Sequence, residues 1–136
     1  MESRRKKLLI CIPTKSHLNA ICVTSLLESL NKLPYDVCVV LGTGKSNIDQ
    51  HRSILVTKWY LDEENFTDED LFLFIDSDQS FTVADIEGLL KIEAEVKCGI
   101  YTNAVGLPTC RPLNPALFLR GLDRRLLYGA TGFMAF

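Results

Sequence analysis

The chain has no apolar run long enough to cross a bilayer, no low-complexity or Pro/Ser-rich segment, no internal repeat, and no marked excess of either charge. Each absence narrows what the protein can do. Lys+Arg 15 against Asp+Glu 17 leaves a net charge of −2, so no overall basic field draws it to nucleic acid or an anionic membrane. A charged ligand must therefore be met locally. The basic start Arg4-Arg5-Lys6-Lys7 precedes an apolar run that stops at Pro13 and Lys15, too short for a signal-peptide core or a membrane span. The expectation is a soluble, unexported, cytoplasmic protein. The cysteines are odd in number: Cys11, Cys22, Cys38, Cys98 and Cys110 show neither CxxC spacing nor a histidine partner pattern. Four lie in apolar segments, which favours small buried hydrophobes in a reducing compartment over disulfides or a zinc site.

What is present is a core. With 136 residues and 47% hydrophobic content, the chain suits one domain. Leu8–Pro13 reads as a short apolar strand, and apolar residues at 18, 21, 22, 26, 27 and 30 follow helical spacing up to Pro34. Val37–Leu41 is a second strand, residues 42–46 a turn, and Ile48–Leu61 a helix offering Ile48, Leu55, Val56, Trp59 and Tyr60 for packing. After the acidic loop 62–70 come strand 71–75, helix 83–92 and strand Val96–Tyr101. Thr82 is a candidate N-cap and Asp85 completes an acidic variant of the capping box. This alternation predicts an α/β fold with a doubly wound, mainly parallel sheet of the Rossmann-like nucleotide-binding kind. Beyond Tyr101 the pattern dissolves into a loop with Pro108, Pro112 and Pro115, then a basic run of Arg120, Arg124 and Arg125. Its length is that of a functional lid or a mobile segment. Leu126–Phe136 reads as a strand broken by Gly129-Ala130-Thr131-Gly132, where small residues would let another molecule approach the backbone.

The chemistry concentrates at Leu71-Phe72-Leu73-Phe74-Ile75-Asp76-Ser77-Asp78. Five large apolar residues without alternation suit a central strand covered on both faces, and such sheets bind ligands at the carboxyl ends of their strands. If the backbone stays extended through Ser77, Asp76 and Asp78 project to one side, roughly 6.5–7 Å apart at about 3.3 Å of rise per residue. One carboxylate can then hold a hard divalent cation that takes its other ligands from water and phosphate, while its neighbour accepts hydrogen bonds from substrate hydroxyls. Gly44-Lys45-Ser46 offers a rival phosphate site, the tail of a P-loop, which keeps an NTPase as the alternative reading. The first P-loop glycine is missing, its place taken by Val39. Gly42-x-Gly44 is a poor dinucleotide fingerprint, because its third glycine position holds Asn47.

In this order the features resemble the nucleotide-sugar glycosyltransferases of the GT-A fold, whose members carry a DxD motif. The likeness rests on Ile12-Pro13-Thr14 closing the first strand, Gln50-His51-Arg52-Ser53 on a helix, Phe74-Ile75-Asp76-Ser77-Asp78, Cys98-Gly99-Ile100-Tyr101, and Gly-Ala-Thr-Gly-Phe-Met at 129–134. Among members, the chain looks most like the small soluble enzymes encoded by large algal (chlorella) viruses. The resemblance implies transfer of a glycosyl group, with a UDP-sugar the favoured donor, to the hydroxyl of a glycan or glycoprotein acceptor, assisted by Mn²⁺ or Mg²⁺. It implies that Thr14 contacts the nucleotide, Arg52 lies against the base or diphosphate, and Asp76 meets the ribose or a metal-bound water. Asp78 would be the direct metal ligand, and Ser77 would belong to the same nucleotide-binding loop. His51 is expected to face solvent beside this site. The chain departs from the family in having Leu41-Gly42-Thr43 where an acid often contacts the base or ribose. Full GT-A domains are also longer, so residues 1–136 are expected to form a single nucleotide-sugar-binding domain lacking the C-terminal part, and no catalytic residue is assigned. A module that binds metal and nucleotide without transferring anything remains the second alternative.

Overall fold

The computed structural model describes residues 3–14, 16–42, 48–101, 105–129 and 132–136. Its central sheet has five strands: β1 (Lys7–Pro13), β2 (Asp36–Gly42), β3 (Leu71–Ile75), β4 (Lys97–Cys98) and β7 (Phe133–Ala135). They lie in the order β2-β1-β3-β7-β4. Two further short strands, β5 (Arg111–Pro112) and β6 (Leu126–Tyr128), form a separate antiparallel ladder. The helices are α1 (Ala20–Ser29, continued by a 3-10 turn at Leu30–Lys32), α2 (Ile48–Leu61), α3 (Val83–Leu90) and α4 (Pro115–Leu119).

The middle strands explain the architecture. In β1 the side chains of Leu8, Ile10 and Ile12 enter one apolar cluster with Cys22 and Leu26 of α1 and Ile86 and Leu89 of α3. Leu9 and Cys11 enter a second cluster on the opposite face, with Leu55, Val56 and Trp59 of α2. β3 divides in the same way, Leu73 and Ile75 to the first cluster and Phe72 and Phe74 to the second. Successive side chains alternate between faces, so a strand apolar at every position is one covered on both sides. Phe72 is fully buried and packs its ring against Trp59, Phe74 and Phe136. Tyr60 of α2, which sequence spacing had placed among the packing residues, points outward and is 77% exposed.

The α/β class is as expected, but the sheet is mixed. β1 pairs with β2 and β3 in parallel, whereas β7 runs antiparallel to both β3 and β4. β7 thus inserts between β3 and β4, and the β3-α3-β4 crossover passes over it. The expected strand 96–101 shortens to Lys97–Cys98, and the expected broken strand 126–136 becomes two strands in different sheets. The proline-bearing stretch is not a bare loop, since it carries β5 and α4. α4 is one turn, capped by Asn114 with Pro115 at its first position. Among the described residues, no helix is long and apolar enough to cross a membrane.

Candidate functional site

Three strand ends meet where the candidate residues lie. β1 and β2 stay in register from Lys7 opposite Asp36 to Pro13 opposite Gly42, and Thr14 N then donates to Gly42 O at 2.7 Å. β3 ends beside them at Ile75. The chain then turns: Gln79 N donates to Asp76 O at 3.1 Å, closing a β-turn over Asp76-Ser77-Asp78-Gln79. The extended geometry anticipated for Asp76 and Asp78 therefore does not hold. Both acids ride on a tight turn, Asp76 half-buried and Asp78 exposed.

That turn is held by α1. Asn19, the α1 N-cap, accepts Ile21 N on its side chain and donates its own backbone N–H to Ser77 O at 2.9 Å. Cys22 on the buried side of α1 places its Sγ 3.8 Å from Asp76 O. Burial, then the nearby Asp78 and Asp76 charges, push the Cys22 thiol above its ordinary value. One turn later Ser25 donates to Ile21 O and accepts Phe81 N at 3.0 Å, tying α1 to the segment leading into α3. A catalytic or binding loop performs best when its backbone is fixed and only its side chains meet the ligand.

Arg52 arrives from the other face of the sheet. Its Nη2 donates to Asp76 Oδ1 at 2.5 Å, with the two side chains 17% and 32% exposed. Against the other side of Asp76 stands Gly132. Asp76 N donates to Gly132 O at 2.9 Å, and Gly132 N donates to Tyr101 Oη at 3.0 Å. A methyl group on Gly132 would stand 2.7 Å from Asp76 Oδ2 and would collide with Tyr101 Oη. The glycine is thus packed against the protein's own carboxylate and phenol; at this position the small residue serves an internal contact. Burial raises the Tyr101 pKa, the Gly132 amide opposes that, and the Asp76 charge adds to it. Ala130 and Thr131 lie outside the described residues.

The structure brings Arg52 and Asp76 into direct contact and puts Ser77 and Asp78 on the same turn. Thr14 sits at the adjoining end of β1, 5% exposed, with its hydroxyl donating to His17 O at 2.6 Å. It stabilises the bend before α1, whose cap is Asn19. His51 corrects the expectation of a solvent-facing neighbour: it is 5% exposed, because Gly42 lacks the Cβ that would collide with its imidazole. Tyr101 and Gly132 were missed as site residues. Their signal was the pairing of an aromatic strand end with a late glycine, which acquires meaning only once β7 is known to lie beside β3.

The donor set fits a hard divalent cation of the kind that keeps several waters and takes phosphate oxygens from its substrate, which needs only one or two protein carboxylates. Asp78 is the exposed one, and Asp76 already receives Arg52. Among the described residues no group of three or more His, Cys, Asp or Glu side chains is arranged to hold a metal by itself. The P-loop-like Gly44-Lys45-Ser46 lies outside the described residues. Among the basic residues near the C-terminus, Arg125 is engaged by Asp123 at 2.9 Å. Comparison with known proteins finds no matching family model, no matching curated protein and no matching solved structure.

Proposed function

We propose that this chain is the donor-binding part of a metal-dependent glycosyltransferase, taking a nucleoside-diphosphate sugar, with UDP-sugars favoured, and passing the sugar to a hydroxyl acceptor of glycan or glycoprotein type. Within that reading the mixed sheet is a doubly wound, Rossmann-like sheet of the GT-A kind. The observation that carries it is the Asp76-Ser77-Asp78 turn at the carboxyl end of a doubly covered strand, with Arg52 delivered to Asp76 from a helix on the far face. Open α/β sheets bind ligands in this place.

The residues divide the work by charge and exposure. Asp78, exposed, would hold Mn²⁺ or Mg²⁺ together with the diphosphate oxygens. The metal, when bound, neutralises charge gathering on the leaving diphosphate as the sugar–phosphate bond breaks. Arg52 holds Asp76 in position and brings a positive charge to the mouth of the site, where a diphosphate would be met. Asp76, in turn, accepts from a ribose hydroxyl or a metal-bound water. The backbone at Thr14 closes the nucleotide side of the crevice.

Calorimetric titration with UDP, UDP-glucose, GDP-mannose, dTDP and ATP, each with and without Mn²⁺, tests this on the native chain and on Asp78→Ala. The reading expects manganese-dependent binding of one nucleoside diphosphate or its sugar, lost in the variant. Binding of ATP alone, equal in both proteins, would replace it with an NTPase centred on Gly44-Lys45-Ser46. Donor binding without product on adding acceptor would reduce the chain to a metal–nucleotide-binding module.

A further inference from the structure

A cavity of about 610 Å³ opens immediately beyond the acidic turn. Gln79 and Ser80, the residues that follow Asp78, line one part of it, and Tyr101 lines another. Tyr101 is therefore shared: its ring walls the cavity while its hydroxyl lies against Gly132 beside Asp76. The buried Leu89 and Phe133 form the floor. The rim is apolar yet open to solvent, with Ile92 42%, Ile100 57% and Leu119 86% exposed. Arg124 and Asp85 supply its charged lining, and Asp85 is committed to capping α3. A volume of this size lies within the range of small-ligand sites, which are mostly apolar with a few placed polar groups. Contiguous exposed apolar surface around such a cavity marks a binding site.

Resting on the donor reading above, we infer that this cavity takes the apolar body of the acceptor, a hydroxyl-bearing amphiphile whose hydroxyl points past Tyr101 toward Asp76 and Asp78. The argument is one of continuity and composition. The polar wall at Gln79, Ser80 and Tyr101 adjoins the acidic turn, whereas Leu89, Ile92, Ile100, Leu119 and Phe133 offer nothing to the hydroxyls of a sugar ring. An acceptor that filled the space with sugar alone would leave those hydroxyls without partners. An acceptor with an alkyl or aryl portion buries it there, and each buried methylene is worth about fourfold in affinity.

The test titrates the full chain with methyl, n-octyl and phenyl β-D-glucosides, the octyl compound below its micelle-forming concentration, following amide NMR shifts. UDP with Mn²⁺ is titrated in parallel as the donor-side control. The octyl glucoside, the phenyl glucoside or both should bind at least tenfold more tightly than the methyl glucoside, shifting Ile100, Tyr101 and Phe133. The arm that binds tells an aliphatic acceptor from an aromatic one. Leu119→Arg, at an exposed rim position that leaves the fold alone, should abolish that preference and keep UDP binding. Equal weak binding of all three glucosides, with UDP binding intact, overturns the inference. So does a self-associating chain that Leu119→Arg renders monomeric and that ignores the glucosides, since a second copy then covers the rim. Tight octyl or phenyl binding without any UDP binding upholds the cavity and overturns the donor reading.

Discussion

Arg52 and Asp76, 24 residues apart and on different layers of the fold, meet through an Arg52 Nη2 to Asp76 Oδ1 hydrogen bond of 2.5 Å at the mouth of the candidate site. The pair is half-buried, so removing either partner leaves the other partly desolvated without its counter-charge. Arg52→Ala and Asp76→Asn are each expected to lower stability by about 1–3 kcal/mol. Each should also weaken manganese-dependent UDP binding at least about tenfold, some 1.4 kcal/mol. Arg52→Lys should restore stability only in part, because an ammonium lacks the planar fork. Urea unfolding with calorimetry on the three variants checks this. Native-like UDP affinity in Arg52→Ala would remove the arginine from the site.

Gly132 separates the carboxylate from the phenol. Adding one methyl in Gly132→Ala would crowd Tyr101 Oη and Asp76 Oδ2 together, and nothing flexible is available to yield on the Asp76 side, where Arg52 is already bonded. Overpacking of this kind costs about 1–3 kcal/mol. The expected result is a folded protein with a lowered melting temperature and impaired UDP binding. Gly88→Ala is the control, because a Cβ there meets nothing within 4 Å and the residue is in α3. It should stabilise slightly, as alanine is the better helix former. If both variants behave alike, the close approach at Gly132 has no bearing on the site.

Much of the frame was legible because it rests on local pattern. The unbroken apolar run Leu71–Ile75 announced a strand buried on both faces, and β1 through α3 follow in the anticipated places. The carboxylates' location at a strand end was legible for the same reason. What failed was longer-range. Phe133–Ala135 is three residues long, too short to carry a period, and its antiparallel insertion between β3 and β4 depends on pairing that no local window holds. The turn at Asp76–Gln79 is likewise set from outside, by Asn19 and Cys22 on α1. His51 was misplaced because its burial on α2 depends on the absent side chain of Gly42, at the end of β2. Tyr101 went unnoticed because its partner is the backbone of Gly132.

The helix α3 carries its own start signal, and both halves of it are formed. Thr82 Oγ1 accepts Asp85 N at 3.2 Å while Asp85 Oδ2 accepts Thr82 N at 2.8 Å. Thr82→Ala removes one side of this reciprocal cap and should cost about 1 kcal/mol. For a chain of this size that is a fall of about 3–5 °C in Tm. Thr82→Ser should be nearly neutral, since the hydroxyl remains. Scanning calorimetry on the two variants decides it, and an equal loss in both would assign the effect to the threonine methyl instead of the cap. UDP binding should survive in either, because the cap lies at the far end of the segment that leaves the acidic turn.

Asp70 offers a pH signature separate from the site. Its side chain is fully buried, and Arg4 Nη2 and Thr67 N donate to Oδ2 at 2.6 and 2.9 Å while Lys7 N donates to Oδ1 at 2.8 Å. Burial alone would raise its pKa, but the Arg4 guanidinium and the Lys7 and Thr67 amides outweigh that and hold it at about 2, against an ordinary 3.8. Because the folded value is depressed, the unfolded chain takes up the proton first as pH falls. The stabilisation is therefore complete above about pH 4 and fades as pH drops through the window down to about 2. Asp70→Asn should be less stable than the native chain at neutral pH and should lose less on acidification across that window, so the two urea midpoints converge near pH 2. Asp123, held at about 2 by Arg125, titrates in the same range but is common to both proteins, so the difference between them isolates Asp70. A constant gap between the two curves from neutral pH to about pH 2 would show that Asp70 acts through its shape and hydrogen bonds, not its charge.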